Sequence, residues 1–316
     1  MKWKKLGLVY NVSGQHGFDK THCHKPTPIL VDKDTLRVFF GTRDELNRTR
    51  TTFIDLDPNN LREIKYIHDR PSIDLGKLGA FDDSGANVCS LVRNGDTIFM
   101  YYIGANTSTT VHMRNAVGVA VSEDGGMSFR RLFDGAILDR TKDEPYYIGA
   151  AEIHKEDEIW KCWYTSGNEW KIINGKPEIN YQIKYATSSD GIEWQRDNLQ
   201  VIDPLSEYEV CARPSVWRQG NTYHMLFSRR SMAGFRHVNE QGYRAGYATS
   251  SDGIKWCRYD SDAGLVESAE GWDSKAIAYP YYFRIGEREL VFYNGNDFGR
   301  SGFGIAELIK EEDSAE

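Results

Sequence analysis

The sequence predicts an all-β fold, a ring of repeated four-stranded antiparallel units, on three observations: a turn motif that recurs every 62 to 66 residues, an aromatic run ahead of each copy, and scarce helical periodicity. The turn motif reads SEDGGMSF from Ser122, SSDGIEW from Ser188 and SSDGIKW from Ser250. Each copy follows a short alternating run, AVGVAV, QIKYAT or RAGYAT, so the local reading is strand, turn, strand. The Asp-Gly pair supplies the positive φ of a tight hairpin, and the aromatic residue that follows opens the next strand. A β-sandwich would explain the strand content but not the recurrence of one turn at a fixed period.

Each element follows from this repeat. The upstream aromatic runs DTIFMYYIG (96–104), EIWKCWYTSG (158–167) and NTYHMLFSRR (221–230) are second strands, each preceded by another apolar segment. Two further units lack the turn motif but keep the inner strands: TLRVFFGTRD (35–44) before RTTFIDLD, and RELVFYNGND (288–297) before GFGIAEL. The count reaches five, and the expected fold is a five-bladed β-propeller of four-stranded blades spanning residues 1–310 as one domain. The last unit stops after three strands, whereas the N-terminal WKKLGLVY resembles the fourth strands of other units. Residues 3–10 are therefore expected to close the ring as the outer strand of the last blade, protecting a sheet edge. Residues 311–316 are read as an acidic tail.

Composition narrows the function. The net charge of −7 argues against nucleic-acid or anionic-membrane partners, which rest on clustered positive charge. No apolar stretch reaches the length of a membrane span or a secretory core. Five widely spaced cysteines without a CxxC pair fit neither a disulfide framework nor a zinc site, and suggest a cytoplasmic location. The 18 Tyr, 14 Phe and 8 Trp suit both half-buried strands and the faces of sugars. No cofactor and no metal is expected, although the spacing of His22 and His24 is compatible with a pair of ligands.

In a propeller the loops entering the innermost strands converge on one mouth of the tunnel. Carboxylates recur there, at Asp82 and Asp83, Asp143 and Glu144, Glu207 and Glu209, and Asp273. Paired carboxylates cleave glycosidic bonds, one protonating the leaving oxygen while the other attacks or activates water. The expected catalytic acids are Asp83, Glu144 and Glu209. Basic residues recur at the same level, and His22, His24, Arg43, Asp82, Arg213, Arg230, Asp273 and Lys275 are expected to bind substrate. Asp124, Asp190 and Asp252 of the turn motif are explained by the turn alone.

The stretches HCHKPTPIL, LRVFFGTRDELNRTR, GAFDDSGA, VGVAVSEDGG, KDEPYYIG, RPSVW and YPYYF resemble, over nearly the whole chain, glycosidase-like bacterial propeller proteins encoded among surface-polysaccharide biosynthesis genes. More distantly the chain is similar to glycoside hydrolase families 43, 32 and 68 and the family 130 phosphorylases. The resemblance implies a carbohydrate substrate and action on a glycosidic linkage. It also exposes two departures: the first-blade aspartate of families 43 and 32 is matched here by His22, Cys23 and His24, with Asp19 slightly earlier, and Lys275 stands where an acid is usual. His22 is then a candidate substitute for the missing acid. Two alternatives stay open, a phosphorylase or an enzyme of phosphorylated or nucleotide-linked sugars, and a glycan-binding propeller without catalysis.

Overall fold

The computed structural model describes residues 1–235, 238 and 241–309, so the acidic tail expected at 311–316 lies outside the described residues. After β1 (Trp3–Tyr10), strands come in runs. The first is β2 (Thr21–Asp32), β3 (Thr35–Arg43), β4 (Thr49–Leu56) and β5 (Ile64–Ile67). Next come β6 (Gly85–Asn94), β7 (Thr97–Asn106), β8 (Arg114–Ser122) and β9 (Arg130–Arg131), then β10 (Ile148–Glu156), β11 (Ile159–Ile173), β12 (Lys176–Ser188) and β13 (Gln195–Gln200). They are followed by β14 (Glu209–Gln219), β15 (Thr222–Ser231), β16 (Arg244–Ser250) and β17 (Trp256–Arg258), and by β18 (Ala278–Ile285), β19 (Arg288–Asn294) and β20 (Phe303–Leu308).

Hydrogen bonding gathers these strands into four sheets. Three are four-stranded and antiparallel: β10 to β13, β14 to β17, and β18-β19-β20-β1. The fourth joins β2 to β5 with β6 to β9, and its two halves meet at a single parallel pair, Thr49 with Gly85. The N-terminal strand pairs antiparallel with β20 from Trp3 opposite Leu308 to Tyr10 opposite Phe303, as the sequence predicts. The first strands β2, β6, β10, β14 and β18 each touch the next, and β18 returns to β2.

Burial follows position within each run. First and second strands are buried on both faces, as in VFF of β3 or CWY of β11, so they read as continuous apolar runs rather than alternating ones. Outermost strands such as β5 and β13 are mostly exposed, and β13 is also mostly polar.

The turn motif holds neighbouring runs together. Tyr101 on β7 donates its hydroxyl to the carbonyl of Gly191, and Trp163 on β11 donates its indole N–H to that of Gly253, at 3.1 and 2.7 Å. Phe39 on β3 packs under Gly126 in the same way. The motif is not the tight Asp-Gly hairpin expected. Only its glycines have positive φ, and five to seven residues separate the strands. Ser188 Oγ donates to Asp190, whose Oδ1 accepts the Ile192 and Glu193 N–H groups, so side chains rather than a two-residue turn shape the loop.

Candidate functional site

Each first strand except β6 carries a cavity-lining residue in the left-handed region, Lys25 (φ 56°), Ala150 (φ 44°), Arg213 (φ 53°) and Tyr279 (φ 55°), and β2 adds His22 (φ 68°) outside the lining. Each sits at a break in strand register, a bulge that turns the chain without ending the pairing. Three of the bent N–H groups donate to a neighbouring run: Lys25 to Asn294 Oδ1, Arg213 to Thr165 Oγ1 and Tyr279 to Ser228 Oγ, at 2.8, 3.3 and 2.8 Å. Left-handed non-glycine backbone costs about 1 to 2 kcal/mol per residue, and four such residues converge on one place.

That place is a cavity of about 450 Å³, and all four residues line it. Its floor is organised by Arg213, which is fully buried. The guanidinium donates to the Cys89 carbonyl on β6 at 2.5 Å and to Thr27 Oγ1 on β2 at 2.9 Å. It lies 4.7 Å from the centre of the Tyr281 ring on β18 and 3.8 Å from Glu152 on β10. One side chain on β14 thus contacts the first strand of every other run.

The walls are aromatic. Trp170 meets His112 edge-on at 5.2 Å, and Tyr147 stacks on Tyr181 at 5.9 Å. Arg230 lies 3.6 Å from the Phe235 ring centre and donates to Tyr181 Oη, which is 2.9 Å from Tyr243 Oη. Burial alone would raise the Tyr243 phenol, but Arg230 and hydrogen bonds with Tyr181, Arg230 and Tyr279 outweigh it and hold this phenol below its usual value. Lys25, Arg43, Arg48, Arg213 and Arg230 line the cavity together with one carboxylate among the described residues, Glu178.

Of the residues predicted from sequence, His24, Arg43, Arg213 and Arg230 line this cavity. The expected catalytic acids do not. Glu144 is buried against Tyr164 Oη at 2.9 and 3.1 Å, with Lys184 and Arg196 at 3.3 and 3.2 Å. Glu209 takes two hydrogen bonds from Arg258 and one from the Leu205 N–H. Asp83 accepts from the Gly79 N–H, Ser84 Oγ and Asn106 Nδ2; burial would raise its carboxyl, but these bonds outweigh that and lower it. Asp82 is held by Tyr102 and Arg131, and Asp273 by Tyr293 and Lys5. Lys275 is exposed, with its N–H on Asn296. His22 lies beside the cavity rather than in its lining, its Nδ1 2.8 Å from Thr21 Oγ1. Burial, then the charges of Arg43 and Arg300, lower the His22 imidazole to about 3, which keeps it neutral. The recurring acids therefore share one structural level but face outward along their own sheets, where cations from outer strands meet them.

Sequence reasoning passed over Lys25, Glu178 and the tyrosines 181, 243 and 279. Nothing local distinguishes Lys25, whose position depends on the bulge. Glu178 and Tyr181 had a signal: Asn174-Gly175, with φ 50° and 77°, makes the two-residue hairpin that prolongs β11 and β12 into a cavity wall.

The fold recurs in solved glycoside hydrolases. A structure described as a glycoside hydrolase superposes with TM-score 0.75 at 15% identity, covering 97% of this chain and 91% of that one. An RGII complex of BT0996 gives 0.74 at 15% identity over 97% and 92% of the two chains. A thermostable family-43 glycoside hydrolase gives 0.66 at 15% identity over 92% and 91%. At such identity the likeness is one of fold, that of the propeller hydrolases. No protein-family model matches the chain. Two Mycobacterium tuberculosis proteins, designated Uncharacterized protein MT1551 in strain CDC 1551 / Oshkosh and Uncharacterized protein Rv1502 in strain H37Rv, are each 33% identical over 309 residues. Those matches cover 98% of this chain and 99% of each relative, and this chain belongs to the same protein family as the two mycobacterial proteins.

Proposed function

We propose that this chain is a carbohydrate-active enzyme of the glycoside hydrolase-like kind, acting on a glycosidic linkage in the 450 Å³ cavity. In this reading the eight-stranded sheet counts as two blades, and the five runs of strands make one five-bladed propeller domain, the one expected over 1–310. The observation that carries the proposal is the cavity itself, with aromatic walls suited to the apolar faces of a sugar and polar groups concentrated at its floor. Its volume suits one or two sugar rings. A reducing compartment suits the chain, whose five cysteines are free thiols.

The chemical roles move from the loop acids to the lining. Glu178 is the proposed proton donor to the leaving oxygen. Tyr243 Oη is the proposed second group, in the role that an attacking or water-activating carboxylate has in most glycosidases. Asp83, Glu144 and Glu209 become structural in this reading. The test is turnover of a panel of aryl glycosides by the wild-type chain, Glu178→Gln and Tyr243→Phe. Each substitution is expected to lower kcat by about a hundred-fold or more with little change in KM. Turnover unchanged in both variants would reject the assignment, and measurable glycan affinity with no turnover by the wild type would favour the non-catalytic alternative.

A further inference from the structure

We propose that the cavity floor is an oxyanion site in which Lys25 and Arg43 hold a phosphate, sulfate or carboxylate group of the ligand, above the buried charge of Arg213. The inference rests on the carbohydrate reading only for the sugar that would carry that group.

Several other buried or half-buried cations among the described residues have a carboxylate against them: Arg37 with Asp55, Arg131 with Asp82, Arg258 with Glu209, Lys5 with Asp273 and Lys161 with Glu156. Lys25 breaks the pattern. Its Nζ lies over the Tyr279 ring at 5.0 Å, and no carboxylate among the described residues is within 4.0 Å of it. Its neighbours are like charges. Burial, then Arg213 and Arg43, lower the Lys25 ammonium to about 7, with the Cys89 thiol opposing them. Arg213 has Glu152 at 3.8 Å, a carboxylate that also lies 3.2 Å from His154.

The histidines beside these cations add no positive charge of their own. His24 Nδ1 is paired with the Asn87 amide, which makes Nε2 the N–H of a neutral ring. Burial, then Lys25, Arg43, His22 and Arg213, hold His24 well below its usual value. The protein also keeps Lys25 in left-handed backbone, fixed by Asn294, to put it there. A cluster of like charge in a half-buried site is costly unless an anion completes it, and guanidinium with ammonium is the donor set that oxyanions select.

The test is calorimetric titration of the full chain with sulfate, which does not titrate near neutrality, at a pH below 7. Saturable one-to-one binding is expected, weakened about ten-fold or more in Lys25→Met and in Arg43→Met and less in Arg43→Lys, each variant staying folded and Lys25→Met having a raised rather than lowered thermal midpoint because a buried charge is removed. Above pH 7, binding should take up a proton in the wild type and none in Lys25→Met, read from two buffers of different ionisation enthalpy. Glucose 6-phosphate or glucuronate binding about ten-fold tighter than sulfate would assign the oxyanion to the sugar. Sulfate or phosphate binding as tightly as the sugar phosphate, alongside neutral glucose, would assign it to a free anionic co-substrate. No saturation below about 50 mM of any of these anions, or equal affinity in the folded Met variants, would overturn the site. Neither outcome depends on turnover, so loss of this site and loss of the glycosidic reading are told apart.

Discussion

Tyr164 Oη donates to both oxygens of the Glu144 carboxylate, and the same pairing at the same spacing of twenty residues joins Tyr102 to Asp82 and Tyr293 to Asp273. In each case a cation from an outer strand completes the cluster: Arg196 on β13, Arg131 on β9 and Lys5 on β1. In the β14 run, Arg229 occupies the place of the tyrosine and Arg258 on β17 supplies the outer cation, both toward Glu209. These clusters tie the start of β6, β10, β14 and β18 to the second strand and the outermost strand of the same sheet. Lys5 does so across the chain's closure, since β1 and the loop of Asp273 are distant in sequence.

Glu144→Gln is therefore expected to lower unfolding free energy by about 3 to 5 kcal/mol, because Lys184 and Arg196 are left buried without their counter-charge. Tyr164→Phe should cost less, about 1 to 3 kcal/mol, since only the hydroxyl's bonds are lost. Urea unfolding of both, with sulfate affinity measured in parallel, checks this. A Glu144→Gln chain that keeps its stability but loses turnover would return Glu144 to the catalytic role.

Arg213 makes a stronger demand on stability. Arg213→Met removes the one side chain that contacts all the other first strands and leaves Glu152 buried without its cation. A loss of about 3 to 5 kcal/mol is expected, partly recovered when Glu152→Leu is added, because the second change removes the stranded charge. Additive losses in the double variant would show that the two side chains act independently.

How much of this was legible in the sequence depends on distance along the chain. The strand pattern and the closure by residues 3–10 were readable because each rests on local periodicity or on likeness between nearby segments. The loop acids were also found at the right level, but their direction was not readable. Whether Glu144 faces the axis or its own sheet is decided by Tyr164, twenty residues later, and Arg196, more than fifty. Arg213 and Lys25 owe their positions to bulges whose N–H groups are held by Thr165 and Asn294 on other runs, and no local pattern encodes that.

The pH dependence of stability should have two limbs of the same sign and origin, each from a basic group whose charged form is disfavoured by burial and by neighbouring arginines. His22 is held near 3 in the folded chain against 6.5 when free, so the unfolded chain binds the extra proton as pH falls below 6.5, and stability drops toward pH 3. Lys25 titrates near 7 when folded against 10.5 when free. Between those values the unfolded chain holds more protons, and stability rises with pH by up to about 1.4 kcal/mol per unit. Lys25→Met should flatten the alkaline rise, and His22→Gln should soften the acid fall, in urea midpoints measured from acid to alkaline pH. Parallel curves for wild type and variants would reject both shifts.

Gly191 and Gly175 share a φ of 77°, and they differ in what surrounds them. A Cβ on Gly191 would stand 2.7 Å from Tyr101 Oη and 2.9 Å from the Trp160 ring, whereas one on Gly175 would meet nothing within 4 Å. Substitution by Ala at either site imposes the same left-handed strain, about 1 kcal/mol. Only at Gly191 does it also push apart the turn motif and the aromatic second strands beneath it, which adds an overpacking cost of about 1 to 3 kcal/mol. Gly191→Ala should therefore lower the thermal midpoint well beyond Gly175→Ala. Equal shifts would mean that the glycine of the turn motif is required for its φ alone, and that the packing of Tyr101 and Trp160 against it tolerates displacement.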